Sequence, residues 1–318
     1  MRILAALLLA LSVQAAWAED DALSWLQRIH VATQKLSYTG TFVYRSGDQA
    51  ETSRIVHVVG RNGTRELLET LDGQAREIVR SGDEVKCYLP GSMTVKVDRQ
   101  TDHKAFPALL PANVQDISEH YEVSKGAIER IAGYDCQSIV LQPKDKLRYG
   151  HKLWADVNTG MLLKSQTLNE GDEPIEQFAF TQIAIGGKIG EEQLKPRLLA
   201  KSRAWLVKNS GAVAANLATS GWTIKPDLPG FRKVTEMKRT QGGSSEVGHV
   251  VYSDGLAAVS VFIEPMANKT SLPQPGLSRQ GAINIYSRQI VGHLVTVVGE
   301  APAESVKKIA DSVEYRKP

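Results

Sequence analysis

The chain has 318 residues, of which 42% are hydrophobic and 23% are charged, and these fractions are ordinary for a globular protein. The formal net charge of +3 is too small to favour nucleic-acid binding, and an aromatic content of 6% argues against a lectin-like chain. At about 100–200 residues per domain, the length favours two domains.

The first eighteen residues have the pattern of a secretory signal peptide. Arg2 precedes the apolar run 3–13, and Ala16-Trp17-Ala18 has the small-residue pattern of a cleavage site. The apolar run is shorter than the roughly 20 residues that span a bilayer, and the cleavage region has no cysteine to carry a lipid. We therefore expect the mature chain to begin near Glu19, without a membrane anchor, in the bacterial periplasm.

The predicted first domain, residues 19–190, begins with a helix and continues as a series of short strands. Apolar residues recur at three- and four-residue spacing in 20–36, which is typical of an amphipathic helix. The later segments are short and are separated by turns such as Asn-Gly and Asp-Gly, which indicates antiparallel hairpins. The predicted strands are 38–44, 52–60, 64–71, 75–80, 84–89, 93–98, 121–130, 135–142, 149–156, 161–168 and 174–185.

The strand pattern is interrupted at residues 104–120. Pro107 and Pro111 bracket an apolar patch there, and Asn113 is placed to cap a short helix over 114–120. An antiparallel sheet usually buries one face, so we expect the first helix and this insertion to cover the concave face. If they do not fill that face, an apolar groove remains; the alternative is a fully plugged core.

Residues 191–218 differ from the sheet segments on either side. A short helix is predicted over 191–199, and 209–215 is small and featureless, so we interpret this stretch as a linker. A smaller α+β domain is predicted at 219–318, with a closing helix over 303–313. Its predicted strands are 231–239, 246–253, 256–264, 281–289 and 292–299, and its predicted mobile loop is 269–276.

The two cysteines, Cys87 and Cys136, are compatible with two states. Export to an oxidising compartment permits a disulfide, which would close a loop of about 50 residues. The alternative is two separate thiols that pack as small hydrophobic side chains. The sequence leaves both open because it does not show the distance between the two Cα atoms.

Sequence motifs of catalysis and metal binding are missing. No two of the seven histidines have a metal-ligand spacing, and there is no nucleophile elbow, P-loop or dinucleotide-binding fingerprint. Short clusters such as Asp98, Asp102 and His103 are interpreted as ordinary surface residues. We therefore expect neither an enzyme nor a cofactor or metal, and an exported hydrolase with a dispersed site is only the third hypothesis.

Aromatic and arginine side chains are the candidates for ligand binding. The aromatic residues lie in predicted strands, where core packing is their default role and contact with an apolar ligand at a groove rim is the alternative. Arg76 and Arg80 are four residues apart at a strand and turn, suited to a phosphate or carboxylate or to a solvated surface. The candidates for a groove or cleft are Tyr44, Arg76, Arg80, Tyr121, Tyr149, Trp154 and Tyr252.

Several sequence blocks occur in the same order as in one known family. In the first domain they are 38–44 (YTGTFVY), 71–80 (LDGQAREIVR), 148–150 (RYG) with 154–156 (WAD), and 160–165 (GMLLKS). In the second domain they are 228–231 (LPGF), 252–256 (YSDGL) with 260–264 (SVFIE), and 297–300 (VVGE). Together these blocks resemble the sigma-E factor regulatory protein family, RseB/MucB, over nearly the whole mature chain.

The resemblance implies both a fold and a function. The large domain is expected to be an unclosed antiparallel half-barrel with covering helices, similar to the lipoprotein carriers LolA and LolB. Members of the family bind the periplasmic part of a membrane-spanning anti-sigma factor (RseA/MucA-like) and shield it from regulated proteolysis, and lipopolysaccharide or misplaced lipoprotein dislodges them. The resemblance therefore implies a periplasmic negative regulator of the sigma-E envelope-stress response.

A periplasmic lipid or lipoprotein carrier that uses the same half-barrel is the second hypothesis. The complete additional domain at 219–318 favours regulation, since a carrier needs only the first domain.

Overall fold

The computed structural model describes residues 21–61, 63–99, 106–111, 113–199, 201–209, 211–241, 245–266 and 275–317. The predicted signal peptide, residues 1–18, lies outside these residues, and so does most of the predicted loop at 269–276. The α-helices of the described chain are α1 (21–35), α2 (Gln115–His120) and α3 (Ala303–Asp311). None of the helices in these ranges is long and apolar enough to cross a bilayer.

Twelve strands of the described chain form one unclosed sheet, which confirms the predicted large meander. They are β1 (Tyr38–Ser46), β2 (Gln49–Gly60), β3 (Gly63–Thr70), β4 (Glu77–Ser81), β5 (Glu84–Leu89), β6 (Thr94–Arg99), β7 (Tyr121–Ile131), β8 (Tyr134–Pro143), β9 (Gly150–Asp156), β10 (Leu162–Leu168), β11 (Pro174–Ile185) and β12 (Leu206–Asn209). The strand order is β12-β6-β5-β4-β3-β2-β1-β11-β10-β9-β8-β7, so β12 and β7 lie at the two edges. The pairing is antiparallel except between β12 and β6.

Helix α1 covers part of this sheet, as its apolar spacing predicts. Ala22, Leu26 and Ile29 are fully buried in a core that also contains Phe42 and Ile139 of the sheet. Burying a leucine or isoleucine side chain stabilises a fold by roughly 1.5–3 kcal/mol.

The insertion before β7 forms the second cover, also as predicted. The ring of Phe106 stacks on Phe178 of β11, with 5.2 Å between the ring centroids, and Ile117 of α2 is buried in the same core. Asn113 Oδ1 accepts a hydrogen bond from the backbone N–H of Gln115 at 3.3 Å, so its side chain satisfies a donor in the first turn of α2.

Residues 190–199 lie on the opposite face of the first sheet. Leu68 of β3 packs against the core that contains α1, so the adjacent residue Glu69 points the other way. Glu77, which pairs with Glu69, accepts hydrogen bonds from the backbone N–H groups of Arg197 and Leu198 at 3.0 and 2.9 Å. Carboxylate contacts therefore attach this covering segment to the sheet.

Of the short helix predicted over 191–199, the structure has only the first turn. Glu191–Leu194 is a 3-10 helix that ends before Lys195, which has extended backbone angles. Pro196 disfavours a helical conformation at the residue before it, and this explains the early end. Further 3-10 helices of the described chain are Pro90–Ser92, Lys201–Ala204 and Leu217–Ser220.

A second, smaller sheet and α3 form the C-terminal part of the fold, which confirms the predicted α+β domain. The sheet contains β13 (Val213–Ala214), β15 (Arg232–Gln241), β16 (Ser245–Ser253), β17 (Ala258–Pro265), β18 (Gly276–Gln280), β19 (Ile283–Ile290) and β20 (His293–Gly299). Their order is β13-β15-β16-β17-β20-β19-β18. Val306, Ile309 and Ala310 of α3 are fully buried in its core.

The closing helix is shorter than predicted. It ends at Asp311 because Val313 pairs with Ile224, joining β21 (Val313–Tyr315) to β14 (Trp222–Ile224).

Candidate functional site

A fully buried ion pair joins the first and second domains. Arg148, just before β9, donates from Nη1 to Asp254 Oδ2 at 3.0 Å, and neither side chain is exposed. Nη2 also donates to the carbonyl oxygen of Pro229 at 2.6 Å, and Nε donates to Asp145 Oδ1 at 3.0 Å. A buried charge is costly unless it is paired and hydrogen-bonded, so these partners fix the position of the guanidinium.

The turn between β16 and β17 holds the Asp254 carboxylate in place. Asp254 Oδ1 accepts the backbone N–H groups of Leu256 and Ala257 at 2.9 and 2.8 Å, which leaves Oδ2 directed at the first domain. Oδ2 accepts a second bond from the hydroxyl of Tyr121 at 3.2 Å. Burial, and then the negative charge of Asp254, raise the pKa of Tyr121 well above its ordinary value, so this hydroxyl stays a donor.

A second group of hydrogen bonds continues the contact towards α3. Asn284 Nδ2 donates to the hydroxyl oxygen of Tyr149 at 2.9 Å and to the carbonyl oxygen of Ala301 at 2.8 Å. Ser305 Oγ of α3 donates to the carbonyl oxygen of Leu147 at 2.7 Å. Residues 147–149 therefore contact the second domain through three consecutive positions.

Two glycines allow close approach of the domains. Gly230 has φ +82°, and a Cβ at this position would collide with the ring of His120. Gly281 has φ +59°, and a Cβ there would collide with Ser46. Because glycine adopts positive φ without strain and has no side chain, both contacts depend on it.

A cleft of about 370 Å³ lies beside the buried ion pair. Its first wall comes from 109–111 and 116–120, which belong to the insertion and α2. Its second wall comes from 230–235, 251–258 and Glu300 of the second domain. Both domains therefore build this cleft, and the ion pair holds its walls together.

The cleft is apolar on its walls and charged at several points. Arg232 lies near two carboxylates of the first wall, at 3.7 Å from Asp116 and 3.9 Å from Glu119. Asp254 is neutralised by Arg148. The apolar lining comprises Leu109, Pro111, Val234, Val251, Leu256 and Ala258.

Two neighbouring carboxylates, Glu176 of the first domain and Glu300 of the second, lie where Glu300 lines the cleft. Burial, and then the nearby Glu300, raise the pKa of Glu176 in β11 to about 7. Burial also raises the pKa of Glu300. Part of this residue is exposed, because it lines the cleft, but the surrounding walls restrict its hydration. Tyr44 hydrogen-bonds Glu176, and burial raises the pKa of this tyrosine to about 12.

The side chains that line the cleft are suited to binding rather than to holding a metal ion. Among the described residues, no three His, Cys, Asp or Glu side chains are grouped as metal ligands. Apolar walls suit an apolar side chain, and unpaired carboxylates suit a cation.

The structure brings together three of the seven candidate side chains named from the sequence. Tyr121 and Tyr149 lie in the interdomain contact, and Tyr44 contacts the carboxylate pair at its end. Tyr252 lies elsewhere, buried in the core of the second domain, where its hydroxyl donates to the carbonyl oxygen of Ile224 at 3.2 Å.

The other three candidates lie on the first sheet away from this contact. Trp154 is buried between the ammonium groups of Lys152 and Lys164, which lie 4.6 and 4.2 Å from its ring centroid. Arg76 forms an ion pair with Glu51 at 2.9 Å. Arg80 forms an ion pair with Glu66, and Glu66 also contacts His57 Nδ1 at 3.1 Å.

The two cysteines are free thiols, so of the two states considered, the structure has separate side chains. Cys87 lies in β5 and Cys136 in β8, and eight places in the strand order separate these two strands. The two cysteines therefore do not lie on neighbouring strands of the sheet, which agrees with their being separate thiols.

Sequence reasoning missed the charged residues of the interdomain contact. Arg148, Asp254 and Glu300 lie in the RYG, YSDGL and VVGE blocks, and Pro229, which contributes a carbonyl oxygen, lies in the LPGF block. In the folded chain these four blocks lie together at the interdomain contact. The presence of a charged or carbonyl group in each block is the signal that could have identified the contact.

Comparisons with known proteins cover both domains. Residues 21–198 match the family model of the MucB/RseB N-terminal domain, and residues 216–314 match that of the MucB/RseB C-terminal domain. The sigma factor AlgU regulatory protein MucB of Pseudomonas aeruginosa is 32% identical over 321 residues, covering 98% of this chain and 98% of the relative. The sigma-E factor regulatory protein RseB of Haemophilus influenzae is 27% identical, covering 97% of this chain and 96% of the relative.

Solved structures of similar proteins have the same fold over both domains. The crystal structure of MucB in complex with MucA(peri) covers 93% of this chain and 100% of that chain, with a TM-score of 0.70 and 29% identity. The complex structure of Pseudomonas aeruginosa MucA/MucB covers 94% of this chain and 100% of that chain, with a TM-score of 0.72 and 29% identity. With family models matched over both of its domains, this chain belongs to the MucB/RseB family.

Proposed function

We propose that this chain is a periplasmic negative regulator of a sigma-E-type envelope-stress response. It binds the periplasmic part of a membrane-spanning anti-sigma factor and shields that part from regulated proteolysis. The observation that carries the proposal is the likeness, over more than nine tenths of the chain, to MucB crystallised with MucA(peri). The relatives at 27–32% identity are named as regulatory proteins, which agrees with a binding role.

The proposed location is the periplasm, because the anti-sigma segment to be bound lies there. The signal-peptide pattern of residues 1–18 supports this location.

The interdomain cleft is the proposed contact site for the partner. Both domains supply its walls, and a segment bound there contacts the two at once. Two linked contacts give a higher affinity than either alone because the second binding event is intramolecular. Protection from a protease then follows the fraction of partner that is bound.

The proposed layout is a half-barrel domain at 19–190, a connecting stretch at 191–218 and a smaller domain at 219–318. The pairing of β12 with the first sheet and of β13 with the second supports a change of domain between Asn209 and Val213. Limited proteolysis of the mature chain is expected to cut first in this stretch or at 269–276, and early cleavage inside β1–β6 would contradict the layout.

Release is proposed to depend on lipid signals, such as lipopolysaccharide or the acyl chains of a lipoprotein. An effector that binds only the free form of the regulator reduces the fraction bound to the anti-sigma factor. The large unclosed sheet, with one face partly covered by α1, supports an apolar ligand site. Saturable binding of lipopolysaccharide at micromolar concentration is the expected result.

The test is a titration of residues 19–318 with the periplasmic part of the anti-sigma factor encoded by the same organism. Cleavage of that partner by the site-one protease is followed in parallel. We expect saturable binding and protection that rises with occupancy, and both are expected to fall when lipopolysaccharide is added. A partner that binds without protection would contradict the shielding role, and absence of binding would contradict the proposal as a whole.

A further inference from the structure

The charges that line the interdomain cleft do not balance. Asp116 and Glu119 share Arg232, and Asp254 is paired with Arg148. In the described part of the chain, no lysine or arginine forms an ion pair with Glu300, and Glu176 behind it is likewise without a cation. The cleft therefore has more carboxylates than cations.

The burial of Glu176 makes this excess of negative charge energetically unfavourable. Glu176 is only 6% exposed, and the side chain that hydrogen-bonds its carboxylate is the neutral hydroxyl of Tyr44. A buried carboxylate is normally paired with a cation or kept neutral. Two neighbouring carboxylates without a cation are therefore stabilised by a positive charge supplied at Glu300, the one that lines the cleft.

Apolar surface lies beside the carboxylates on the same cleft. Leu109 comes from the first domain, and Val234 and Leu256 come from the second. Val234 is 48% exposed, which is unusual for a large apolar side chain in a cleft between domains. An occupant that covers these side chains removes them from water.

Resting on the proposed function, we infer that the cleft recognises a segment of the anti-sigma factor in which a lysine or arginine stands next to an apolar residue. The cationic side chain contacts Glu300, and the apolar side chain packs against Leu109, Val234 and Leu256. A charge-assisted hydrogen bond to Glu300 is roughly twice as strong as a neutral one, and it sets the register of the bound segment. An acidic segment is rejected because it adds a further negative charge to the cleft.

The recognition is expected to depend on pH. The groups that face Glu300 are Glu176 and Tyr44, and the other ionisable side chains of the cleft are Asp116, Glu119, His120 and Arg232 besides the paired Asp254. Because a bound cation favours the ionised carboxylates, binding releases protons that the free cleft holds below about pH 7. Affinity is therefore expected to rise as the pH increases from about 6 to 8.

The test compares Glu300→Gln with the wild-type mature chain, using the periplasmic part of the anti-sigma factor as the probe. Glu122→Gln, at an exposed position of the edge strand β7, is the matched control. We expect Glu300→Gln to weaken binding about tenfold, the lower end of the effect of a hydrogen bond to a charged group, and to reduce the loss of affinity between low and high salt. The control is expected to bind as the wild type does, and a thermal unfolding curve for each protein checks that all three are folded at the temperature of the titration.

A charge exchange makes the test specific. Glu300→Lys should abolish measurable binding, and replacing one basic residue of the partner by glutamate should restore part of it. If Glu300→Gln binds with wild-type affinity and salt dependence, the cation site is wrong while the regulator proposal stands. If the wild-type chain does not bind the partner at all, the regulator proposal fails first and the cation site with it.

Discussion

The two charged contacts between the domains differ in how their charges are satisfied. At one, Arg148 and Asp254 form a fully buried ion pair whose further bonds go to Asp145, Pro229 and Tyr121. At the other, two carboxylates, Glu176 and Glu300, face each other without a cation in the described chain. The first contact is complete without a partner, whereas the second is stabilised by adding positive charge. In our proposal, the first contact maintains the arrangement of the domains and the second is the one that takes part in binding.

The largest effect is expected from breaking the complete contact. Asp254→Ala removes the buried carboxylate that accepts from Arg148, from the Tyr121 hydroxyl and from two backbone N–H groups, while Asp145 and the Pro229 carbonyl remain as partners of the guanidinium. We expect a loss of about 3–5 kcal/mol in the free energy of unfolding because several buried donors lose their acceptor at once. Denaturant unfolding of the mature chain measures it, with the exposed Asp227→Ala as control. A double variant that replaces both Arg148 and Asp254 with apolar residues should lose less than Asp254→Ala, and an equal or greater loss would argue against the broken ion pair between Arg148 and Asp254 as the cause.

The incomplete contact is expected to change stability with pH. The pKa of Glu176 is about 7 in the folded chain against an ordinary 4.5, so the folded state holds its proton more tightly. Its stabilisation is fully present below about pH 4.5 and is lost as the pH rises through 7, by on the order of 3 kcal/mol.

Glu176→Gln is expected to remove this component. The difference in unfolding free energy between variant and wild type should therefore grow in favour of the variant from about pH 5 to pH 8. A difference that stays constant over this range would show that Glu176 titrates like an ordinary carboxyl.

A smaller effect is expected at the hydrogen bonds beside the ion pair. Asn284→Ala removes both bonds of the amide, to the Tyr149 hydroxyl and to the carbonyl oxygen of Ala301. We expect a loss of about 1–3 kcal/mol in unfolding free energy because these buried groups lose a partner. The exposed turn residue Asn158 offers a matched Asn→Ala control, and equal losses at the two positions would contradict the special role of Asn284.

The smallest effect is expected at the exposed rim of the cleft. The side chain of Arg232 is 69% exposed and lies 3.7 Å or more from its acidic partners. Arg232→Gln should therefore change the unfolding free energy by less than about 1 kcal/mol. A loss as large as that of Asp254→Ala would remove the distinction between buried and rim charges on which the comparison depends.

Local features of this fold were predictable because neighbouring residues specify them. The hairpin at Asn158-Thr159-Gly160 is an example: Gly160 has φ +77°, and Thr159 donates from both its backbone N–H and its hydroxyl to Asp156. The helix over 20–36 followed equally from its apolar spacing, and the structure has it at 21–35.

Features that depend on distant residues were not predictable in this way. Arg148 and Asp254 are 106 positions apart, and no local pattern relates them. The strands β12 and β13 have four and two residues, too few to show an alternating pattern, so both fell within the predicted linker 191–218. The carboxylate pair is likewise formed only when β11 and the end of β20 meet across the two domains.

The central claim is that the anti-sigma factor binds in the cleft and contacts both of its walls. The most direct measurement is the dissociation constant of the mature chain for the periplasmic part of that factor, with one apolar wall residue replaced at a time. Leu109→Ser changes the first-domain wall and Val234→Ser the second, while Val207→Ser changes an exposed valine on edge strand β12 and is the control for Val234→Ser. We predict that each wall variant binds at least about tenfold more weakly than the wild type and that Val207→Ser binds normally. Wild-type affinity in either wall variant would contradict binding across the two domains.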